Sequence, residues 1–157
     1  MKKLTLACAL ILASVGLKAQ ITTGKDVAIV ATDAGKVRGY VHSGIYTYKG
    51  IPYAEAARFE APHKPKPWAG VRSSMSYGPV SPLIDETTQI QDESEFVFNH
   101  NWGFTNEDCM RINVWTPGIK DGKKRPVMFW IHGGGFTAGS AEELKSYDGE
   151  NLAKKGD

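Results

Sequence analysis

The sequence predicts an α/β fold, and three stretches of the 157-residue chain support that prediction. Residues 20–57 contain short β-branched and aromatic runs separated by turn residues, which is typical of a small antiparallel sheet. Residues 110–116 alternate between apolar and polar side chains, as a half-buried strand does. Residues 127–131, VMFWI, are continuously apolar, which indicates a strand buried on both faces of a mostly parallel central sheet covered by helices.

The first nineteen residues are not expected to be part of this fold. Two lysines give a basic start, and the apolar run that ends at Leu17 is too short to span a bilayer comfortably. Ala19 is a small residue before a predicted cut at Gln20. The pattern predicts a signal peptide over residues 1–19, a secreted or periplasmic mature protein, and no transmembrane segment after cleavage. A buried N-terminal helix is the alternative, but no capping or amphipathic pattern accompanies the run.

The predicted mature region, residues 20–157, contains an irregular segment between its sheet-forming parts. Residues 58–106 carry scattered prolines and aromatic side chains without a period of 2 or 3.6 residues. The aromatic residues argue against disorder, so a long packed surface segment is expected. Near the end of the chain, residues 148–156 predict one short helix with Asp148 as its cap and Gly156 as its stop. These elements have the organisation of the beginning of a larger domain.

Charge and cysteine content exclude several classes of partner and fold. Signal cleavage removes Lys2, Lys3 and Lys18, which lowers the formal charge from +2 to −1. A nearly neutral chain offers no electrostatic basis for binding nucleic acid or an anionic membrane. Of the two cysteines only Cys109 remains after cleavage, so no disulfide can form within the mature chain.

Three consecutive glycines, Gly133–Gly135, follow the apolar run and His132. Glycine loses the most conformational entropy on folding, so such a run indicates a backbone that needs positive φ or a close approach to its N–H groups. Phosphate binding by residues 134–140 is disfavoured because Ser140 stands where a P-loop has lysine. Dinucleotide binding by residues 133–138 is disfavoured because no apolar-periodic helix begins at the glycines. An oxyanion hole for acyl transfer and a glycine-rich turn without chemistry remain.

Longer motifs favour the oxyanion hole. YKGIPYAEA, RFEAP and PWAG lie within residues 48–70, NEDCMRINVWTP covers residues 106–117, and VMFWIHGGGFTAGS covers residues 127–140. In this order and spacing they resemble the type-B carboxylesterase and cholinesterase family of α/β hydrolases. The resemblance implies that residues 20–157 form the amino-terminal portion of an α/β-hydrolase fold, with the small antiparallel sheet, the long irregular loop and the first strands of the central sheet.

The resemblance also assigns roles within the glycine-rich stretch. Gly134 and Gly135 match the residues whose backbone N–H groups form the family's oxyanion hole. Gly133 matches the glycine that permits the turn, and His132 is expected to support the loop. The family hydrolyses small-molecule carboxylic esters through an acyl-enzyme, so no cofactor and no metal is expected. The motifs specify neither the acyl and alcohol groups of the ester nor an oligomeric state.

Outside that stretch, the resemblance implies a structural ion pair between Arg58 and Glu107, which ties the irregular segment to the sheet. The planar fork of a buried arginine suits a carboxylate partner. Cys109 usually has a disulfide partner in the family, but this chain has Ser81 at that place, so a buried or half-buried free thiol is expected. Trp68 lies in the loop that contributes an aromatic side chain to the gorge of cholinesterases, although packing is the simpler role for it.

The family's nucleophile and its partners are not recognisable in this chain. The reaction needs a serine in G-x-S-x-G, an acid and a histidine, in that order. No G-x-S-x-G occurs, since Ser74 stands where Ser76 would need a glycine, and no histidine follows His132. The chain is therefore predicted to supply the oxyanion-hole loop of a longer esterase and to be inactive alone. A non-catalytic, cholinesterase-like binding or adhesion relative and a degenerate gene product are the alternatives.

Overall fold

The computed structural model describes residues 20–82, 100–101 and 103–156. The predicted signal peptide, residues 1–19, and residues 83–99 of the predicted irregular segment lie outside the described residues. Within the described ranges the elements are six strands, a 3-10 turn and an α-helix: β1 Ile29–Ala31, β2 Lys36–Arg38, β3 Tyr40–His42, β4 Ile45–Pro52, β5 Val71–Ser73, β6 Arg111–Thr116, the 3-10 turn Lys145–Tyr147 and α1 Glu150–Lys155.

The strands form two three-stranded sheets, with the orders β1-β2-β5 and β3-β4-β6. β1 and β2 are antiparallel and are joined by a turn in which the Thr32 hydroxyl donates to the Gly35 carbonyl at 2.8 Å. β3 and β4 are antiparallel and are joined by Ser43 and Gly44, whose φ values of +50° and +82° suit a two-residue hairpin turn. The short antiparallel strands predicted for this region are therefore present.

β4 pairs with β6 in a register that shifts between Tyr48 and Ile51. Gly50 lies at this shift with a φ of +66°, and its N–H donates to Asn113 Oδ1 at 2.9 Å. A Cβ at Gly50 would lie 2.7 Å from the backbone nitrogen of Gly78, so this close approach requires glycine. β6 coincides with the predicted alternating strand, but its pairing with β4 is antiparallel. It does not join a mostly parallel sheet in the described residues, because alternation predicts a strand and not its neighbour.

The segment predicted to be irregular contains one short strand. β5 pairs in parallel with β2, and Arg72 lies opposite Val37. All three residues of β5 are exposed. Its sequence, VRS, is too short to show a period of apolar and polar side chains, so the strand is recognised only from its pairing with β2.

A small core joins the two sheets. Val37 of β2 and Tyr48 of β4 are 1% and 2% exposed, and Ala28 packs with them. A Cβ at Gly39 would lie 2.0 Å from the carbonyl oxygen of Thr47, so glycine lets the chain pass from β2 to β3 directly beside β4. Burial of apolar surface contributes roughly 25 cal/mol per Å². Trp68 and Ile119, which come later in the chain, pack against this core.

The apolar run at residues 127–131 is not a strand in the structure. Its side chains are between 59% and 87% exposed, and no strand pairs with it among the described residues. A strand forms through hydrogen bonds to a neighbour, so an apolar run without one stays irregular and exposed. The prediction of a buried strand here is therefore wrong for the described chain. Trp130 makes a local contact, with its ring centroid 5.4 Å from that of Tyr147.

The predicted short helix is present as α1. It ends at Gly156, whose N–H donates to the Leu152 carbonyl. The predicted cap, Asp148, precedes the N-cap residue Gly149, and its Oδ1 accepts a hydrogen bond from the Glu150 N–H at 3.0 Å. No helix in the described ranges is long and apolar enough to cross a membrane.

Candidate active site

The glycine loop, defined here as residues 132–139, forms a tight turn at the surface. The Gly134 carbonyl accepts hydrogen bonds from the backbone N–H groups of Thr137 and Ala138, both at 3.0 Å. The Thr137 hydroxyl donates to the same oxygen at 3.1 Å. Three donors on one carbonyl fix the orientation of the peptide that joins Gly134 to Gly135, and this peptide carries the Gly135 N–H.

Two positions in the loop require glycine. Gly134 has a φ of +125°, and a Cβ there would lie 1.7 Å from the carbonyl oxygen of Ala138. Gly139 has a φ of +87°, and its Cβ would lie 2.4 Å from the carbonyl oxygen of Gly133. Sequence reasoning missed Gly139, although the small residues around it are a signal of close packing.

Gly133 has a different environment from the one assigned to it. It is not among the glycines with positive φ, and nothing lies within 4 Å of the position its Cβ would take. The steric need for glycine in this turn therefore falls on Gly134 and Gly139, and not on Gly133 as expected.

Gly134 and Gly135 are both exposed residues of the loop. Gly135 has a φ of +58°, and nothing lies within 4 Å of its Cβ position. Phe136, with a φ of +64°, is fully exposed. No described residue accepts a hydrogen bond from the N–H of Gly134 or of Gly135. Two adjacent, unpaired donors on exposed residues can bind an oxygen atom that carries negative charge.

His132 contacts the first peptide of the loop. Its Nδ1 lies 2.7 Å from the carbonyl oxygen of Gly133. Because a carbonyl oxygen only accepts hydrogen bonds, Nδ1 is the nitrogen that carries the proton in this contact. This hydrogen bond stabilises the backbone at the start of the glycine loop.

Arg58 and Glu107 lie together, with Arg58 Nη2 donating to Glu107 Oε1. This hydrogen bond raises the pKa of Arg58 above its usual value. The side chains are 61% and 59% exposed, so the pair lies on the surface and is screened by solvent, whereas a buried pair was expected. It joins the segment after β4 to the segment before β6. No hydrogen bond or ion pair among the described residues connects it to the glycine loop.

Cys109 and Trp68 also lie away from the glycine loop. Cys109 is a half-buried free thiol that lines an open cavity of about 440 Å³. The Trp68 Nε1 donates to the Lys36 carbonyl at 3.0 Å, and the guanidinium of Arg72 lies 4.4 Å from the centre of the indole ring. These contacts on β2 and β5 are those of a packing residue.

Comparison with known proteins finds relatives along most of the chain. The family model described as the carboxylesterase family matches residues 26–157. The phenmedipham hydrolase of Pseudarthrobacter oxydans is 38% identical over 133 residues, which cover 82% of this chain and 26% of the relative. The para-nitrobenzyl esterase of Bacillus subtilis is 36% identical over 138 residues, which cover 82% of this chain and 25% of the relative.

Solved structures agree with these relatives. An esterase from the anaerobe Clostridium hathewayi, described as able to hydrolyse aliphatic aromatic polyesters, matches with a TM-score of 0.80 and 41% identity. The match covers 89% of this chain and 27% of that esterase. The chain thus spans about a quarter of the length of the proteins that it matches.

Proposed function

The chain belongs to the carboxylesterase family, and from this premise we propose that it supplies the oxyanion hole of a carboxylic ester hydrolase. In this proposal the full-length protein that contains the chain hydrolyses small-molecule carboxylic esters. The backbone N–H groups of the exposed residues Gly134 and Gly135, which have no acceptor among the described residues, carry the proposal. The names of its relatives, which are esterases and hydrolases, support the same reaction class.

The proposed reaction uses a serine from a part of the protein outside residues 1–157. The serine oxygen bonds to the ester carbonyl carbon while a histidine takes the serine proton, and the carbonyl oxygen becomes an oxyanion. The Gly134 and Gly135 N–H groups donate to that oxyanion, and one such donor contributes about 3 kcal/mol to the transition state. The alcohol then leaves with the proton, and water cleaves the acyl-enzyme by the same sequence of steps.

The fixed backbone of the loop suits this role. The three hydrogen bonds to the Gly134 carbonyl hold the turn before any substrate binds. The donors therefore need little reorganisation when charge develops on the ester oxygen, which is the condition for a large electrostatic contribution. A neutral ester carbonyl gains less from the same donors, so they favour the transition state over the ground state.

A serine-directed phosphonate tests the reaction class. The full-length protein is expected to hydrolyse a short-chain aryl ester and to lose that activity when the phosphonate labels one serine outside residues 1–157. Peptide mapping by mass spectrometry locates the label. A folded full-length protein that neither hydrolyses the ester nor takes up the label would contradict the proposal and would indicate a non-catalytic binding relative.

We also propose that residues 1–19 direct the protein across a membrane and are removed. When the 157-residue chain is expressed and secreted, its product is expected to span residues 20–157. That product carries one thiol, Cys109, which is half-buried and unpaired in the structure. Intact mass and thiol counting under denaturing, non-reducing conditions measure both features. A product that keeps residues 1–19, or a disulfide-linked dimer in most of the material, would overturn this expectation.

A further inference from the structure

Glu143 connects the end of the glycine loop to a distant segment of the chain. Its Oε1 lies 2.8 Å from His100 Nδ1, and its Oε2 accepts a hydrogen bond from the Ser140 N–H at 3.4 Å. The Glu143 carbonyl also accepts a hydrogen bond from the Asn101 N–H at 2.7 Å. The side chains of His100 and Glu143 are only 6% and 13% exposed, so water competes weakly for these hydrogen bonds.

Ser140 transmits this connection to the glycine loop. It is 3% exposed, and a Cβ at its buried neighbour Gly139 would lie 2.4 Å from the carbonyl oxygen of Gly133. The next residue back, Ala138, donates its N–H to the Gly134 carbonyl. A displacement of Ser140 would therefore move Gly139 relative to the Gly133 carbonyl, whose peptide carries the Gly134 N–H. It would also move Ala138, whose hydrogen bond holds the peptide that carries the Gly135 N–H.

We propose that Glu143 is a positioning residue for the oxyanion hole, which it aligns through Ser140 and Gly139. The inference rests on the function proposed above. Glu143 itself does not touch the ester. A misplacement of about 1 Å in a catalytic group can lower the rate about a hundredfold, so small movements of the loop have measurable consequences.

The chemistry of the Glu143 side chain selects the variants that test this role. Glutamine keeps the length of the side chain, and it can still accept from the Ser140 N–H while its NH₂ group donates to His100. Aspartate keeps the charge but is one methylene shorter, so it cannot reach both partners. Alanine removes both hydrogen bonds. A positioning role predicts that length matters more than charge at residue 143.

Glu150 provides a control with matched chemistry. Its Oε2 lies 2.6 Å from His42 Nδ1, so it also forms a carboxylate–histidine pair, which joins α1 to β3. Glu150 makes no described contact with the glycine loop. Loss of this pair removes an interaction of the same type while leaving the connection from Glu143 to Ser140 in place.

The experiment measures kcat and KM of the full-length protein for a neutral aryl ester, together with thermal unfolding. Glu143→Ala and Glu143→Asp are expected to lower kcat about tenfold or more with KM nearly unchanged, because displaced donors weaken transition-state binding only. Glu143→Gln is expected to stay within about threefold of the parent kcat, since it keeps both hydrogen bonds. Glu150→Ala is expected to lower the melting temperature while keeping the parent kcat.

Gly134→Ala tests the oxyanion hole separately from the positioning role of Glu143. If Gly134→Ala lowers kcat but Glu143→Ala and Glu143→Asp do not, the positioning role is wrong and the oxyanion hole stands. If Glu143→Ala and Glu150→Ala lower kcat equally, Glu143 has only a structural role and the inference is also wrong. If Gly134→Ala leaves kcat intact, the oxyanion hole fails and the inference fails with it. If Glu143→Ala does not fold, Glu143→Asp and Glu143→Gln are compared instead. A lower kcat for Glu143→Asp than for Glu143→Gln supports the positioning role, and equal kcat values contradict it.

Discussion

Replacing Gly134 by alanine in the full-length protein is expected to lower kcat by about a hundredfold or more, with little change in KM for a neutral ester. The new methyl group would lie 1.7 Å from the Ala138 carbonyl oxygen, and a φ of +125° is outside the range of alanine. The turn must therefore open, which moves the Gly134 and Gly135 N–H groups. Because the oxyanion forms only near the transition state, the loss appears in kcat.

Gly135→Ala probes the same donors with less distortion of the loop. Its φ of +58° is the left-handed conformation, which costs alanine about 1 to 2 kcal/mol, and its methyl group would meet no protein atom. In the proposed reaction the ester binds at this exposed part of the loop, so the added methyl group would compete with it for space. A loss of kcat of the same order, about a hundredfold, is expected.

Gly122→Ala is the matched control for Gly135→Ala. Gly122 has a φ of +72° and also has nothing within 4 Å of its Cβ position, so alanine meets similar backbone strain there. Gly24→Ala, near the amino-terminal end of the described residues, is a second control. Both are expected to leave kcat near its parent value. Steady-state kinetics and thermal unfolding of all four variants check this. Gly134→Ala with reduced stability but unchanged kcat would mean that these glycines serve a turn only.

The 157-residue chain alone is expected to show no hydrolysis of an activated short-chain aryl ester above background. It holds the two proposed oxyanion donors but no G-x-S-x-G serine and no histidine after His132, so the covalent step has no nucleophile or base. The exposed apolar side chains of residues 127–131 should also favour association between copies. Light scattering on the same sample therefore measures whether the assayed chain has associated. A rate that survives repurification and disappears when a serine is blocked would contradict this expectation.

The amino-terminal strands could be predicted from the sequence because their determinants are local. Gly35 and the Ser43–Gly44 pair mark turns between short β-branched runs, and the observed hairpins follow these signals. β5 could not be predicted, since its three exposed residues have no pattern of their own. The prediction of a strand at residues 127–131 was wrong for a related reason. The composition of this run suits a strand, but strand formation depends on a neighbouring strand that periodicity does not reveal.

The candidate site shows the same division between local and distant determinants. The HGGG stretch is a local signal, so Gly134 and Gly135 could be singled out before the structure was known. The contact of Glu143 with His100 spans 43 positions and has no motif, so only the fold brings these residues together. The need for glycine at residue 139 likewise comes from the backbone of Gly133, six residues earlier, and not from its immediate neighbours.

In the proposed reaction the Gly134 and Gly135 N–H groups bind the oxyanion of an ester in its transition state. The most direct measurement is a crystal structure of the full-length protein with a phosphonate attached to its nucleophilic serine, because the phosphoryl oxygen occupies the place of the oxyanion. This oxygen is expected to lie ~3 Å from the backbone nitrogens of Gly134 and Gly135. A phosphoryl oxygen bound by other donors, with the glycine loop remote from it, would show that these N–H groups do not form the oxyanion hole.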